Sequence, residues 1–310
     1  MLRFLTIPLS LTLFAPPLGV QPVFRSGVDL VYLGVTVVDG DGQLVSGLTR
    51  EDFVIEEEGR TQGLAYFSRG LESDLETMPV HVGVLFDTSG SMGRDARFAK
   101  TAAIRFLRSL DFATDMTLVD FDTQVRVSRF GQADFPRLVE RLRSQEAGGM
   151  TALYDALGVY LDGAFTQVGR KVLLLYTDGG DTRSRMRLDE LLDLVRASDV
   201  TVYAIGFQTQ TRIADQLLER RRLEEIVDLT GGQCYFPTSV DELEEIYGQI
   251  RAELAARYSL GYVSTNPTTD GAWRRVTVRF SDSRPELADV SIRARQGYFA
   301  PYVEVEPRGR

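Results

Sequence analysis

The stretch HVGVLFDTSGSM, His81 to Met92, decides how the chain is read. Val82 to Phe86 form a nearly continuous apolar run, the pattern of a strand covered on both faces. The run stops at Asp87, and two hydroxyls follow at alternate positions, Ser89 and Ser91. A carboxylate and two hydroxyls fanned out at the open end of a strand suit three chemistries: a nucleophilic Asp, an aspartic-protease Asp, or a cation site. The rest of the chain has to discriminate among them.

Outward from this stretch, over residues 77–258, strands alternate with helices. VHVGVLF, MTLVDF, VRVSRF, KVLLLYT, VTVYAIGF and CYF read as strands, and amphipathic runs such as DARFAKTAAIRFLRSL, TALYDALGVYLDGAF and LDELLDLVRAS read as helices. The pattern predicts an α/β domain with a doubly wound, mostly parallel sheet. Residues 23–76 and 259–304 read as strands and turns only, and each segment is too short to bury a core alone. They are therefore expected to pair into one β-sandwich into which the α/β domain is inserted, with residues 305–310 as a tail.

In an open parallel sheet, ligands bind at the carboxyl ends of the strands. Two strands here end in carboxylates, VLFD at Asp87 and LLYTDGGD at Asp178, and a helix opening GGMTALYDAL places Thr151 at its start. Asp87, Ser89, Ser91, Thr151 and Asp178 are expected to converge. The set is all oxygen, which suits a hard divalent cation, Mg²⁺ first with Mn²⁺ or Ca²⁺ as substitutes, and disfavours zinc.

DTSGSM, the Thr of GGMTALYDAL and the Asp of TDGGD together resemble the metal-ion-dependent adhesion site of von Willebrand factor A domains: D-x-S-x-S, a distant Thr and a later Asp. The resemblance covers roughly residues 78–258. It implies that Ser89, Ser91 and Thr151 touch the metal and that Asp87 and Asp178 act mainly through waters. The flanks, Val38 to Gln62 and the later YSLGY and RQGYF, resemble the bacterial exported von Willebrand factor A-related proteins abundant in Acidobacteria.

Other motifs in the sequence compete with this reading. FDTSG is similar to the aspartic-protease D-[ST]-G, but Ser89 intervenes and no second copy exists. DFDTQV, from Asp120, is similar to the D-x-D-x-[TV] of haloacid-dehalogenase-type phosphatases, with Gln124 where Thr or Val is needed. His81 is the only histidine, so no Ser-His triad can be built. It reads as a strand residue, Cys234 as a small buried one and Trp273 as sandwich packing. Asp39 and Asp41 read as a hairpin turn in preference to a calcium loop. Asp181 either shapes the cation site or caps its loop, and DELEEIYGQIRAEL reads as a solvated helix face.

Composition sets the outer bounds. With 310 residues, 44% of them apolar, the chain can build a substantial core. A net charge of −9 argues against nucleic acid and anionic membrane as partners. The basic residues are Arg apart from Lys100 and Lys171, and a single cysteine allows no intrachain disulfide. Residues 1–22, with an early Arg, an apolar run and then prolines, read as a signal peptide, which leaves no membrane span after cleavage.

The function expected is an exported, non-enzymatic adhesion or protein-binding module, periplasmic, cell-surface or secreted. Its cation takes an Asp or Glu from a protein partner. A structural or assembly role in an envelope complex, with metal mainly stabilising, is the alternative, and a metal-dependent phosphatase a distant third. The chain's net negative charge is expected to slow an acidic partner's approach at long range, an effect salt screens within about 8 Å.

Overall fold

The computed structural model describes residues 30–70, 79–94, 96–110, 112–207, 212–287 and 289–302. The signal peptide expected over residues 1–22, the boundary at 76 and 77 and the tail at 305–310 lie outside the described residues. No helix among the described residues is long and apolar enough to cross a membrane.

The amino-terminal strands are β1 (Leu30–Val38), β2 (Phe53–Glu57), β3 (Arg60–Gln62) and β4 (Leu64–Arg69). Val31, Leu33, Val35 and Val37 are buried, every second residue of β1, as a strand with one face on a core requires. Glu58 and Gly59 both take positive φ, 49° and 74°, which builds the tight turn between β2 and β3. The Asp39 loop is also a turn: Asp39 Oδ1 accepts from the backbone N–H of Asp41 and Gln43 at 3.0 and 2.8 Å.

The alternating unit runs β5 (Val80–Asp87), α1 (Ala96–Leu107), β6 (Asp115–Phe121), β7 (Val125–Gly131), α2 (Phe135–Ser144), α3 (Leu153–Phe165), β8 (Arg170–Thr177), α4 (Leu188–Ala197), β9 (Val200–Gly206), α5 (Ile213–Asp228), β10 (Gln233–Tyr235) and α6 (Val240–Ala256). Its six-stranded sheet has the order β10-β9-β8-β5-β6-β7. All neighbours are parallel except β7, which returns antiparallel beside β6. Every residue of β5 is buried. Val82, Val84 and Phe86 enter the core that α1, α2 and α6 cover, while Leu85 points to the other core with residues of α3, α4 and α5. Gly83 is required where α3 crosses the strand, because a Cβ there would come within 2.3 Å of the Tyr160 ring. The chain moves from β5 to β6 on one side and later to β8 on the other, so strand order reverses at β5. The crevice this opens lies at the carboxyl ends of β5 and β8.

After α6 come β11 (Tyr258–Val263), β12 (Trp273–Phe280), β13 (Ser291–Arg293) and β14 (Gly297–Phe299). They interleave with the amino-terminal strands into two four-stranded sheets, β13-β1-β11-β4 and β14-β12-β2-β3. Leu33, Val35, Ile55, Tyr258, Leu260, Tyr262 and Val276 form one core between them. The architecture is thus α/β with a mostly parallel central sheet flanked by antiparallel strands from both ends of the chain, as the pattern predicts. Trp273 packs edge-on against Phe299 at 5.1 Å, within the sandwich.

Two buried glutamates knit these layers. Glu57 accepts from Tyr262 at 2.8 Å, Tyr298 at 3.0 Å and Ser264 at 2.7 Å, with Arg274 Nη1 3.6 Å away, so it bridges both sheets. Glu253 accepts from Thr36 at 2.9 Å, Tyr203 at 2.8 Å and Arg293 at 2.6 Å, which fastens α6 and β9 to the sandwich. This corrects the reading of the α6 acidic run as a solvated face: Glu253 is buried. The sandwich therefore sits at the amino ends of the central strands. Among the described residues the carboxyl edge, roughly 25 Å away along eight residues of strand, is left uncovered by the sandwich.

Glu57→Ala leaves the buried Arg274 guanidinium without its nearby counter-charge and the hydroxyls of Tyr262, Tyr298 and Ser264 without this acceptor. Urea unfolding should show a loss of about 3–5 kcal/mol, and an unchanged midpoint would contradict the bridging role.

Candidate metal centre

Three loops meet at the carboxyl edge, and each grows from a local sequence feature. After β5, Asp87 Oδ1 accepts from the Ser89 N–H at 2.8 Å, an Asx-type turn that bends the chain at once. The turn brings the Ser89 and Ser91 hydroxyls within 3.1 Å of one another. Asp87 Oδ2 accepts from the Thr177 hydroxyl at 2.7 Å, tying the end of β5 to the end of β8. The Thr177 oxygen in turn accepts from Gly179 N–H at 3.1 Å and holds the start of the third loop.

The middle loop, just before α3, is fastened to both others. Gly90 N–H donates to Gly149 O at 3.1 Å and Gly148 N–H to Thr88 O at 2.8 Å. Thr151 N–H donates to Thr182 Oγ1 at 3.0 Å, and Thr151 O accepts from the N–H groups of Thr182 and Arg183 at 2.9 Å each. The loops carrying Asp87, Ser89 and Ser91, then Thr151, then Asp178 are therefore joined pairwise by hydrogen bonds. The five residues expected to converge sit on these three loops; the closest side-chain links are those among Asp87, Ser89 and Ser91, while Thr151 is positioned through its backbone.

Burial is steeply graded across the site. Asp87 is 0% exposed, Ser89 1%, Thr151 and Asp178 5% each, and Ser91 and Gly90 lie at the exposed rim. Burial pushes the Asp87 carboxyl up to about 6; hydrogen bonds from Ser89 and Thr177 oppose the shift, and the Asp178 charge adds to it. Asp178 Oδ1 accepts from Gly180 N–H at 3.1 Å. Glu219, on α5, was not foreseen from the sequence. A Cβ on Gly180 would stand 3.3 Å from Asp178 Oδ1 and 3.4 Å from Glu219 Oε1, so this glutamate leans on the same loop. Burial together with the charges of Asp178 and Asp215 pushes it up to about 7, against Arg222.

The donor chemistry fits a hard cation. Among the described residues no three His, Cys, Asp or Glu side chains gather to hold an ion by themselves, so an ion here would need hydroxyls and waters as ligands. The Asp87 carboxyl, whose proton affinity the Asp178 charge helps to raise, stands behind the hydroxyl pair of Ser89 and Ser91, of which Ser91 is exposed. Both Asp87 oxygens already accept hydrogen bonds, which suits a carboxylate that acts on an ion through intermediaries.

Behind the site lies a network that DFDTQVR builds. Asp120 is fully buried and paired with Arg126 and with Arg141, the latter at 3.1 Å. Arg126 also holds Asp122 at 3.0 Å and reaches Thr88 Oγ1 at 3.4 Å. Asp122 O accepts from Ala152 N–H at 2.9 Å, and Thr123 Oγ1 from Met150 N–H at 3.0 Å. Asp120 is thus a structural anion clasped by two guanidiniums rather than an exposed nucleophile, and its network braces the first and middle loops. Asp181 accepts from Ser184 Oγ at 2.6 Å and Tyr154 N–H at 3.4 Å, so it caps α3 and its own loop. His81 lies between Asp115 at 2.9 Å and the Val168 carbonyl at 3.0 Å, within the sheet's amino edge. Burial pushes the Cys234 thiol up to about 12, leaving it inert.

The chain matches the von Willebrand factor type A domain family over residues 81–249. It belongs to that family. Among solved structures it is similar to the pilus adhesin SpaC from Lactobacillus rhamnosus GG in its open conformation, at 12% identity and a TM-score of 0.50 over 86% of this chain and 48% of that one. It is also similar to a von Willebrand factor type A protein from Catenulispora acidiphila, at 15% identity and a TM-score of 0.47 over 91% and 76%. A D319A mutant of the PilB minor pilin from Streptococcus sanguinis shares 14% identity at a TM-score of 0.48 over 58% and 62%, so the chain spans less than two thirds of that pilin. At these identities the likeness is one of fold. No curated protein matches the chain.

The buried Asp87 gives the type A domain a pH signature. Its folded-state proton affinity lies above the unfolded value, near 3.8, so the protonated form favours folding and that stabilisation is lost as pH rises through about 6. In chelator, this group should make the protein less stable at pH 8 than at pH 5 by about 1.5 kcal/mol, a similar amount having been lost already between pH 3 and pH 5. Asp87→Asn should remove its share of the pH difference, leaving the share of Glu219, whose carboxyl is pushed up to about 7. An equal pH slope in wild type and variant, measured by urea unfolding, would contradict the assignment.

Proposed function

We propose that this chain is an exported adhesion or protein-binding module and not an enzyme. A divalent cation, Mg²⁺ first with Mn²⁺ or Ca²⁺ as substitutes, is held by Ser89, Ser91 and Thr151, with Asp87 and Asp178 acting through waters. An Asp or Glu of a protein partner completes its coordination. The observation that carries this reading is the order of the groups at an open sheet edge: the Ser91 hydroxyl at the exposed rim, the Ser89 hydroxyl 3.1 Å from it, and the wholly buried Asp87 carboxylate behind them. Neutral ligands leave the ion with most of its charge, and an incoming anionic oxygen satisfies it.

The same features weigh against catalysis. No histidine is available at this edge, since His81 is held at the opposite end of β5. Asp120, the carboxylate a phosphatase would need as nucleophile, is locked by Arg126 and Arg141. Export rests on the leader-like residues 1–22, and a periplasmic, cell-surface or secreted location follows from it.

Millimolar Mg²⁺ should raise the melting temperature by mass action, and Asp87→Ala should abolish the shift. A partner captured in Mg²⁺ should be lost in EDTA, in Ser89→Ala, in Thr151→Ala, and when its coordinating acidic residue is neutralised. Equal capture in chelator by a partner stripped of its acidic residues would show recognition by packing, with any metal structural.

A further inference from the structure

The chain carries a net charge of −9, yet its charges are not evenly spread. The third loop reads DTRSRMR from Asp181, and the side chains of Arg183 and Arg185 are both exposed at the metal edge. Most arginines nearby are engaged: Arg126 and Arg141 with Asp120, Arg187 with Asp189, and Arg222 with Tyr154. Among the described residues, neither Arg183 nor Arg185 has an ion-pair partner. The nearest candidate, Asp155, is occupied otherwise. Its carboxylate accepts the backbone N–H of Arg185 at 3.1 Å and of Met186 at 2.9 Å, as a cap between the third loop and α3.

The backbone of these arginines is hydrogen-bonded, whereas their guanidiniums make no hydrogen bond to other described residues. Arg183 N–H donates to Thr151 O at 2.9 Å, which places this residue directly beside a proposed cation ligand. On the other side of Thr151, Met150 is 56% exposed and offers an apolar contact. A guanidinium is a planar fork of donors that matches a carboxylate. Two of them beside an ion that takes one carboxylate are complementary to a second.

Building on the cation reading above, we propose that Arg183 and Arg185 bind a second acidic side chain of the partner, so that the partner presents a cluster of acids rather than a lone one. One carboxylate completes the cation and the next meets the arginines. Within a screening length of about 8 Å the arginine pair, and not the charge of the whole chain, sets the field that an arriving acidic segment meets. This reverses the salt dependence expected from net charge: association should slow as salt is added.

The test uses the full chain and two fluorescein-labelled Gly-Ser peptides, one with a single Asp and one with an Asp followed by two Glu, read by polarisation. In Mg²⁺ the clustered peptide should bind about three- to tenfold more tightly, the size expected of two exposed ion pairs. The ratio should shrink with salt, fall to near one in Arg183→Gln/Arg185→Gln, and recover in part in Arg183→Lys/Arg185→Lys. Both substitutions keep the backbone donors, and matching thermal melts will verify folding. If both peptides need Mg²⁺ but their ratio is the same in wild type and the Gln variant, the arginine assignment is overturned and the cation reading stands. If neither peptide binds better in Mg²⁺ than in EDTA, the cation reading falls and this inference with it.

Discussion

A wholly buried carboxylate at the end of a wholly buried strand is the constraint to which the carboxyl edge answers. Asp87 lies where water cannot solvate it, and a buried charge is tolerated only when donors are supplied. Two are: the Ser89 N–H at 2.8 Å and the Thr177 hydroxyl at 2.7 Å. The first turns the chain and brings Ser89 and Ser91 together. The second joins the two central strands on either side of the point where strand order reverses, so the loops that follow them start from one fixed place. Donors of this kind offset the burial only in part, which is why the carboxyl holds its proton up to about pH 6. A cation in front of it would supply the remainder.

The contacts that fasten the sandwich and the site proposed for recognition lie at opposite ends of the central sheet. The sandwich closes over the amino ends of the central strands, and its links to them run through Glu253, which collects Thr36, Tyr203 and Arg293 from three different strands. Its own two sheets are joined through Glu57. Among the described residues the opposite edge has no such cover, and its order comes from short polar side chains, backbone amides and the Asp120 brace. That edge can therefore hold a buried carboxylate and its hydroxyl neighbours apart from the contacts that fasten the sandwich.

What could be read from the sequence was what is encoded locally. The Val/Leu runs of β5 and β8 announce strands covered on both faces, and Asp87, Ser89 and Ser91 lie close enough in the chain for their spacing to imply a common site. Strand pairing in the sandwich was visible only as a need for partners, because the register, such as Leu30 opposite Val263, joins residues more than 200 apart. Glu57 and Glu253 look like surface acids in IEEEG and RAEL; their burial depends on tyrosines and arginines that the chain delivers from elsewhere. Glu219 sits unmarked in the middle of a charged helix and reaches the site only because α5 packs over Gly179 and Gly180. In DFDTQVR the acids suggested chemistry, whereas Arg126 and Arg141 turn Asp120 into a brace.

The central claim is that an ion sits on the hydroxyls of Ser89, Ser91 and Thr151 with Asp87 and Asp178 behind it. Anomalous diffraction from crystals of the protein grown with Mn²⁺ tests this most directly. The account predicts one strong peak within about 2.2 Å of the three hydroxyl oxygens, with waters between it and the two aspartates. A peak seated instead between Asp178 and Glu219, or no peak at this edge at millimolar Mn²⁺, would contradict it.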